Sequence, residues 1–162
     1  MGGGTVPGMS PTVAAPASGQ LARLTGRFAA RIDGKGRLLV PAVHRPRFRN
    51  SVVLSLWPGH HIACYEPERW DAFVETLRER RLARELPRPT FDQIMGDSPE
   101  APVDGNGRIL VPQWMRTEVG LQSDAVLQGN DDHLGIYAAE TFAEIDRSSR
   151  LEAAALLTEL GV

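Results

Sequence analysis

The chain has 162 residues, 42% hydrophobic and 23% charged, with a net charge of −2. That is ordinary globular composition with room for one domain or two small ones, and it excludes a fibrous or wholly low-complexity chain. No apolar run approaches the roughly 18 residues of a membrane span, no basic stretch followed by an apolar one marks a secretory leader, and Cys64, as the lone cysteine, excludes an intrachain disulfide or a thiolate zinc cluster.

A cytoplasmic protein is expected, with Cys64 as buried filler. Residues 1–22 are Gly, Pro, Ala, Ser and Thr with few large side chains and no charge, which predicts a disordered extension. From there the chain repeats itself. Residues 33–45 align without gaps with residues 104–116, identical at eight of 13 positions, with Leu38 facing Ile109 at a ninth. The similarity continues after a one-residue shift: residues 53–57 answer residues 125–129, and His61 to Tyr65 answer His133 to Tyr137. Trp70 and Phe73 then match Phe142 and Ile145.

Each copy reads as strand, tight turn, strand, short helical turn, hairpin and helix. Gly36 and Gly107 close Asp-Gly turns, where glycine takes a positive φ without steric cost. The short apolar runs that follow, residues 38–40 and 109–111, are predicted strands. Pro41 and Pro112 end them, since proline has no N–H for a ladder and suits a first helical turn. A helix is predicted from Pro67 to a stop at Pro87, its arginines Arg78, Arg80, Arg81 and Arg84 interleaved with glutamates as a solvated face. A short helix around Phe91 to Met95 should link the halves. The last helix starts near Thr141, weakens around Ser148 and Ser149, and resumes through Leu151 to Leu160. The expected units are an extension (1–22), a first repeat (23–86), a linker (87–97), a second repeat (98–147) and a helical tail (148–162).

Charge is segregated. Between Arg23 and Arg49 lie eight basic side chains against Asp33 alone, a net +7, so the remainder carries −9. Either a phosphate-facing surface or a solvated charged face would produce this.

The doubled motif resembles the MraZ family of the AbrB-like (SpoVT-AbrB) swapped-hairpin superfamily, over roughly Leu24 to Ile145. The family carries two D-x-x-x-R motifs per chain. Asp33 to Arg37 and Asp104 to Arg108 supply both, each continuing as Gly-Arg, two aliphatics, Val and Pro, and closing on Arg45 or Arg116. Gly26, seven residues before Asp33, and the linker from Met95 to Asp104 match as well. Leu24 stands where the family has Phe, the extension precedes the usual start, and Pro102 falls in an expected strand, which must then be an edge or bulged. The resemblance implies an α+β fold: two tandem swapped-hairpin units forming a pseudo-dimeric small β-barrel with flanking helices. It further implies a ring-shaped homo-oligomer acting as a sequence-specific transcriptional regulator on repeated promoter sites of its own division and cell-wall gene cluster. Double-stranded DNA and further copies of the chain are then the partners, at the nucleoid, with no cofactor, membrane or small-molecule substrate.

Two readings of the motif stand side by side. Asp33 either accepts turn N–H groups and pairs with Arg37 to fix the hairpin, or orients that guanidinium toward phosphate or a guanine edge. Arg27, Arg31 and Lys35 would then neutralise phosphates around Arg37, strand alternation placing them on one side. Around Arg108 stand Asn106, Pro102, Asp97 and Glu100, so the second copy, with Asp104, reads more as scaffold. Arg45 and Arg116 either brace the barrel by pairing with a carboxylate or, for Arg45, touch DNA; Arg47 and Arg49 are candidates for backbone phosphate. Enzyme readings are weak. His44, His60, His61 and His133 match no ligand spacing, and His61 and His133 are repeat equivalents before matching strands. Asp104 to Gly107 fails the calcium-loop pattern at Pro102 and Gln113, and residues 34–37 lack phosphate-loop spacing. The alternatives are an assembly protein without DNA affinity and an AbrB-type antitoxin or regulator, the latter expected to carry one motif per chain.

Overall fold

The structure is a computed structural model that describes residues 23–161; the extension read above lies outside the described residues. The first copy contains β1 (Arg27–Arg31), β2 (Arg37–Leu39), a 3-10 turn (Ala42–His44), β3 (Ser51–Trp57), β4 (His61–Tyr65) and helices α1 (Pro67–Leu82) and α2 (Arg88–Gly96). The second contains β5 (Glu100–Pro102), β6 (Arg108–Leu110), α3 (Gln113–Glu118), β7 (Asp124–Gly129), β8 (Leu134–Ala138) and α4 (Ala139–Leu160). Every strand pairing is antiparallel, and the fold is α+β.

The two copies exchange their first strands. β1 pairs with β7 of the second copy, and β5 pairs with β3 of the first, so neither copy completes its own sheet. The pairings at the centre fall on a pseudo-two-fold: Leu38 faces its own equivalent Ile109 across β2 and β6, and Ala63 faces Gly135 across β4 and β8. Charge reinforces the exchanged register, with Arg31 Nε 3.2 Å from Asp124 Oδ1 across β1 and β7.

The barrel is not closed by hydrogen bonding. Six strands form an open sheet in the order β1-β7-β8-β4-β3-β5, and β2 and β6 form a separate two-stranded ribbon. Each ribbon strand has three residues and runs into Pro41 or Pro112, which offer no N–H to lengthen the ladder. Pro102 sits on edge strand β5, as a proline requires.

Ribbon and helices cover opposite faces of the sheet. On the ribbon side, Leu38, Val40, Ile109 and Val111 pack with Leu54, Ile62, Leu127, Leu134 and Ile136 in one core, and Cys64 is fully buried there. On the helix side, Trp70 and Val74 pack on Val53, Ala63 and Tyr65. At roughly 1.5–3 kcal/mol for each large apolar side chain removed from water, these two layers hold the exchanged hairpins in place.

Three sequence expectations change. The repeat is offset by two residues, not one, where β7 replaces β3: the register matches Val52 with Ala125 and Leu54 with Leu127, so residues 53–57 answer 126–130 by position. The helix α3 is longer than the 3-10 turn it replaces, and the difference displaces the next strand. The linker helix is longer than expected, and α4 runs unbroken through Ser148 and Ser149; the Ser148 hydroxyl donates to the Ile145 carbonyl and Arg150 pairs with Asp146 one turn back, both compatible with continued helix.

Candidate nucleic-acid interface

The two motifs are built alike. Asp33 Oδ1 accepts hydrogen bonds from the N–H groups of Lys35 and Arg37, each at 2.9 Å, and its Oδ2 accepts from Arg37 Nε at 2.9 Å. Asp104 Oδ1 accepts from the N–H groups of Asn106 and Arg108 at 2.9 Å, and its Oδ2 from Arg108 Nε at 3.3 Å. Both parts of the hairpin-fixing role weighed for the aspartate are present: one oxygen closes the turn and the other holds the guanidinium. The Arg37 N–H bond chiefly holds the Asp33 carboxyl below its ordinary range, and the Arg108 N–H bond does the same for Asp104, so both stay anionic at any pH near neutrality.

Gly36 and Gly107 adopt φ of +83° and +80°, which turns each strand back sharply enough for the next arginine to face its aspartate. Each turn is also gripped by the opposite copy. The Val40 N–H donates to the Gly107 carbonyl and the Val111 N–H to the Gly36 carbonyl, both at 2.9 Å. Arg45 lies across Gly107 and Arg116 across Gly36, so closely that an added Cβ would sit 2.9 Å from Arg45 Cδ or Arg116 Nη2. Their Nε atoms donate to the carbonyls of Val40 and Val111, at 2.9 and 3.0 Å. The expected bracing role is present, but its acceptors are backbone carbonyls rather than carboxylates, since each arginine follows its strand's end closely enough to reach the last free carbonyl.

Alternation along the ribbon sets what faces outward. Leu38 and Ile109 point inward, while Arg37, Leu39, Arg108 and Leu110 share the outer face, Arg37 opposite Leu110 and Arg108 opposite Leu39. Both motif arginines thus stand on one surface, diagonal across the pseudo-two-fold, with about a third of each side chain exposed. Near them the exposed residues include Lys35 at the tip of the first turn and Asn106 at the tip of the second.

The rest of the basic segment is mostly engaged within the chain. Arg27 reaches the helix side of the sheet, opposite the ribbon: it donates to Gln128 at 2.8 Å, lies 3.5 Å from Asp146 and covers the Phe142 ring at 4.8 Å. The sequence placed Arg27, Arg31, Lys35 and Arg37 on one side; the strand exchange puts Arg27 on the other layer, because β1 and β2 join different sheets. Arg31 pairs with Asp124, Arg23 lies 3.7 Å from Asp131, Arg47 pairs with buried Glu66 at 2.6 Å, and Arg49 donates to the Pro46 carbonyl. Sequence reasoning missed that Arg23, Arg27 and Arg31 meet acids of the other copy, because their partners are set by which strand β1 joins.

The histidines belong to packing. His44 is buried, edge-on to Phe28, with its Nε2 3.3 Å from the Thr25 carbonyl. His61 is 1% exposed and stacked between Tyr137 and His133. Burial, with smaller contributions from His133 and His60, pushes it down to about 3. Among the described residues no three His, Cys or carboxylate side chains converge as a metal site, and no helix is long and apolar enough to cross a membrane.

Comparison with known proteins follows the same repeat. A family model described as "MraZ protein, putative antitoxin-like" matches twice, at residues 24–89 and 94–159. Among curated relatives, the transcriptional regulator MraZ of Desulfitobacterium hafniense strain Y51 is 29% identical over 140 residues, covering 85% of this chain and 98% of the relative. That of Alcanivorax borkumensis is 31% identical over 127 residues, covering 75% and 87%. That of Leuconostoc citreum is 26% identical over 117 residues, covering 72% and 82%.

Proposed function

This chain belongs to the MraZ family, and on that premise we propose that it is a sequence-specific DNA-binding transcriptional regulator whose ribbon of β2 and β6 reads promoter DNA through Arg37 and Arg108. The observation that carries the reading is the outer face of that ribbon, where two guanidiniums related by the pseudo-two-fold are each aimed by an anionic aspartate. A two-stranded ribbon is narrow enough for the major groove, and a guanidinium fits the O6/N7 edge of guanine or a phosphate. Lys35 and Asn106, at the turn tips, contact the flanking backbone or base edges. Arg45 and Arg116 act one step away, by holding the turns. Asp104 and Arg108 repeat the geometry of Asp33 and Arg37 closely enough that both motifs belong to the interface, not the first alone.

Copies of the chain assemble into a ring, so that several ribbons meet repeated sites along one DNA and weak single contacts sum through effective concentration. Promoter DNA of the chain's own gene cluster is the natural target, and the nucleoid the place of action.

Binding of Arg37→Ala and Arg108→Ala to DNA from upstream of the gene, by gel shift at two salt concentrations, tests this. Each replacement should weaken specific binding about 5- to 150-fold, the range for losing one bidentate base contact of about 1–3 kcal/mol. Wild-type protein that is folded yet shows no preference for that DNA would turn the reading toward a swapped-hairpin assembly protein.

A further inference from the structure

Within the two motifs, one exposed residue differs. Asp33 to Leu39 and Asp104 to Leu110 agree at every position but two. One difference, Leu38 against Ile109, is buried beneath the ribbon. The other, Lys35 against Asn106, stands exposed at the tip of each turn, two residues before the motif arginine. What distinguishes one motif from the other to a DNA duplex is therefore concentrated in these two side chains.

The backbone mounts them alike. The Lys35 and Asn106 N–H groups each donate at 2.9 Å to the aspartate two residues back, which fixes both in the same turn. Among the described residues neither the Lys35 ammonium nor the Asn106 side-chain amide is in a hydrogen bond or ion pair, so both are available to a ligand.

Charge and hydrogen-bonding capacity then divide the work. The first motif sets Lys35 and Arg37 against Asp33, a net +1, whereas Arg108 and Asp104 balance and Asn106 is uncharged. Phosphate affinity comes from uncompensated cations, so the second turn gains little from the DNA backbone. Its amide instead offers a donor and an acceptor together, the combination that the N7 acceptor and N6 donor of adenine require in the major groove. An ammonium on a flexible stem has donors only and cannot accept from adenine's amino group.

We propose that Asn106 selects adenine at the base pair under the second turn, while Lys35 holds backbone phosphate at the first, so that the ribbon sits on its site in one orientation. This rests on the DNA reading above: base identity is read at one tip, and affinity without sequence is supplied at the other.

The test is fluorescence-anisotropy titration of the full chain with duplex DNA from upstream of its gene, each base pair of the bound site being replaced in turn, at several salt concentrations. Wild type is compared with Asn106→Ala and Lys35→Ala. Neither position has a positive φ, and the bonds that hold the turns come from backbone N–H groups, so the turns persist in both variants. For each bound chain, replacing one A·T pair should weaken wild type about 5- to 150-fold. Asn106→Ala should lose that discrimination and keep the wild-type salt dependence. Lys35→Ala should weaken all duplexes alike and make the slope of log affinity against log salt shallower by about 0.9 for each bound chain. An Asn106→Ala variant that keeps every wild-type base preference, or that weakens all duplexes alike, overturns the assignment, while specific binding by wild type leaves the DNA reading standing. Loss of one base preference in Lys35→Ala at unchanged slope overturns the division between the tips. Folded wild-type protein that prefers none of these duplexes to unrelated DNA overturns both readings.

Discussion

Gly107→Ala isolates the cross-grip between the two copies. The added methyl carries two costs. At φ +80° an L-residue is strained by about 1–2 kcal/mol. The new Cβ would lie 2.9 Å from Arg45 Cδ, 3.2 Å from its Nε and 3.3 Å from its Cγ, so the stem of Arg45, not merely its tip, must move. That movement breaks the 2.9 Å bond from Arg45 Nε to the Val40 carbonyl, a hydrogen bond from a charged donor contributing about 1.5–3 kcal/mol. The expected loss is about 3–4 kcal/mol of unfolding free energy, read from urea midpoints at unchanged slope. Gly105→Ala, in the same turn with open space around it and no positive φ, should stay within about 0.5 kcal/mol of wild type. In Arg45→Ala the same glycine replacement should cost only the backbone strain of about 1–2 kcal/mol. Equal midpoints for Gly107→Ala and Gly105→Ala would refute the grip. Gly36→Ala is expected to cost less than Gly107→Ala, because its obstacle is the flexible end of Arg116.

Gly129→Ala should be more damaging than either: its Cβ would collide with the Thr25 backbone nitrogen, and the Gly129 N–H donates to the Gly26 carbonyl at 2.8 Å, so the start of the first hairpin would detach, seen as proteolysis near Leu24. Stability should fall on acidification through His61. Its native value of about 3 lies below the ordinary 6.5, so the unfolded chain binds the extra proton first; the stabilisation is complete above about pH 6.5 and is lost toward pH 3, at up to about 1.4 kcal/mol per pH unit. His61→Phe should flatten that slope in urea titrations between pH 6 and pH 4, and an unaltered slope would contradict the burial argument. Reversing the exposed pair with Arg31→Asp and Asp124→Arg together should shift thermal stability by less than about 1 kcal/mol, as surface pairs do, with the register of β1 on β7 kept by the packing of Phe28 and Ala30; a large loss in calorimetry would mean the pair sets the register.

The elements themselves were legible because their signals are local. Gly36 and Gly107 mark turns through backbone sterics, Pro41, Pro67 and Pro112 mark helix starts through their missing N–H, and the period-2 burial of Leu38 and Ile109 follows from alternation. The duplication was legible too, since residues 33–45 and 104–116 carry the same turn and strand chemistry, and with it the family. Even the place of Pro102 on an edge strand followed from one missing donor. What the sequence alone determined is thus the list of parts, their repetition and the aspartate-arginine pairing within four residues.

Which part meets which was decided by the tertiary structure. Side chains separated by about a hundred residues, such as Arg27 and Gln128 or Arg31 and Asp124, become neighbours only because β1 joins the other copy's sheet. That exchange removes Arg27 from the face of Arg37, pairs Arg23, Arg27 and Arg31 with acids of the second copy, and lays Arg45 and Arg116 across glycines of the opposite motif. It also leaves Leu39, Val43, Leu110 and Trp114 exposed, two of them within the apolar runs that read as strands. The physical reason is that burial and pairing are properties of the packed whole: alternation says which residues share a face, while only the packing of ribbon on sheet says which face meets water.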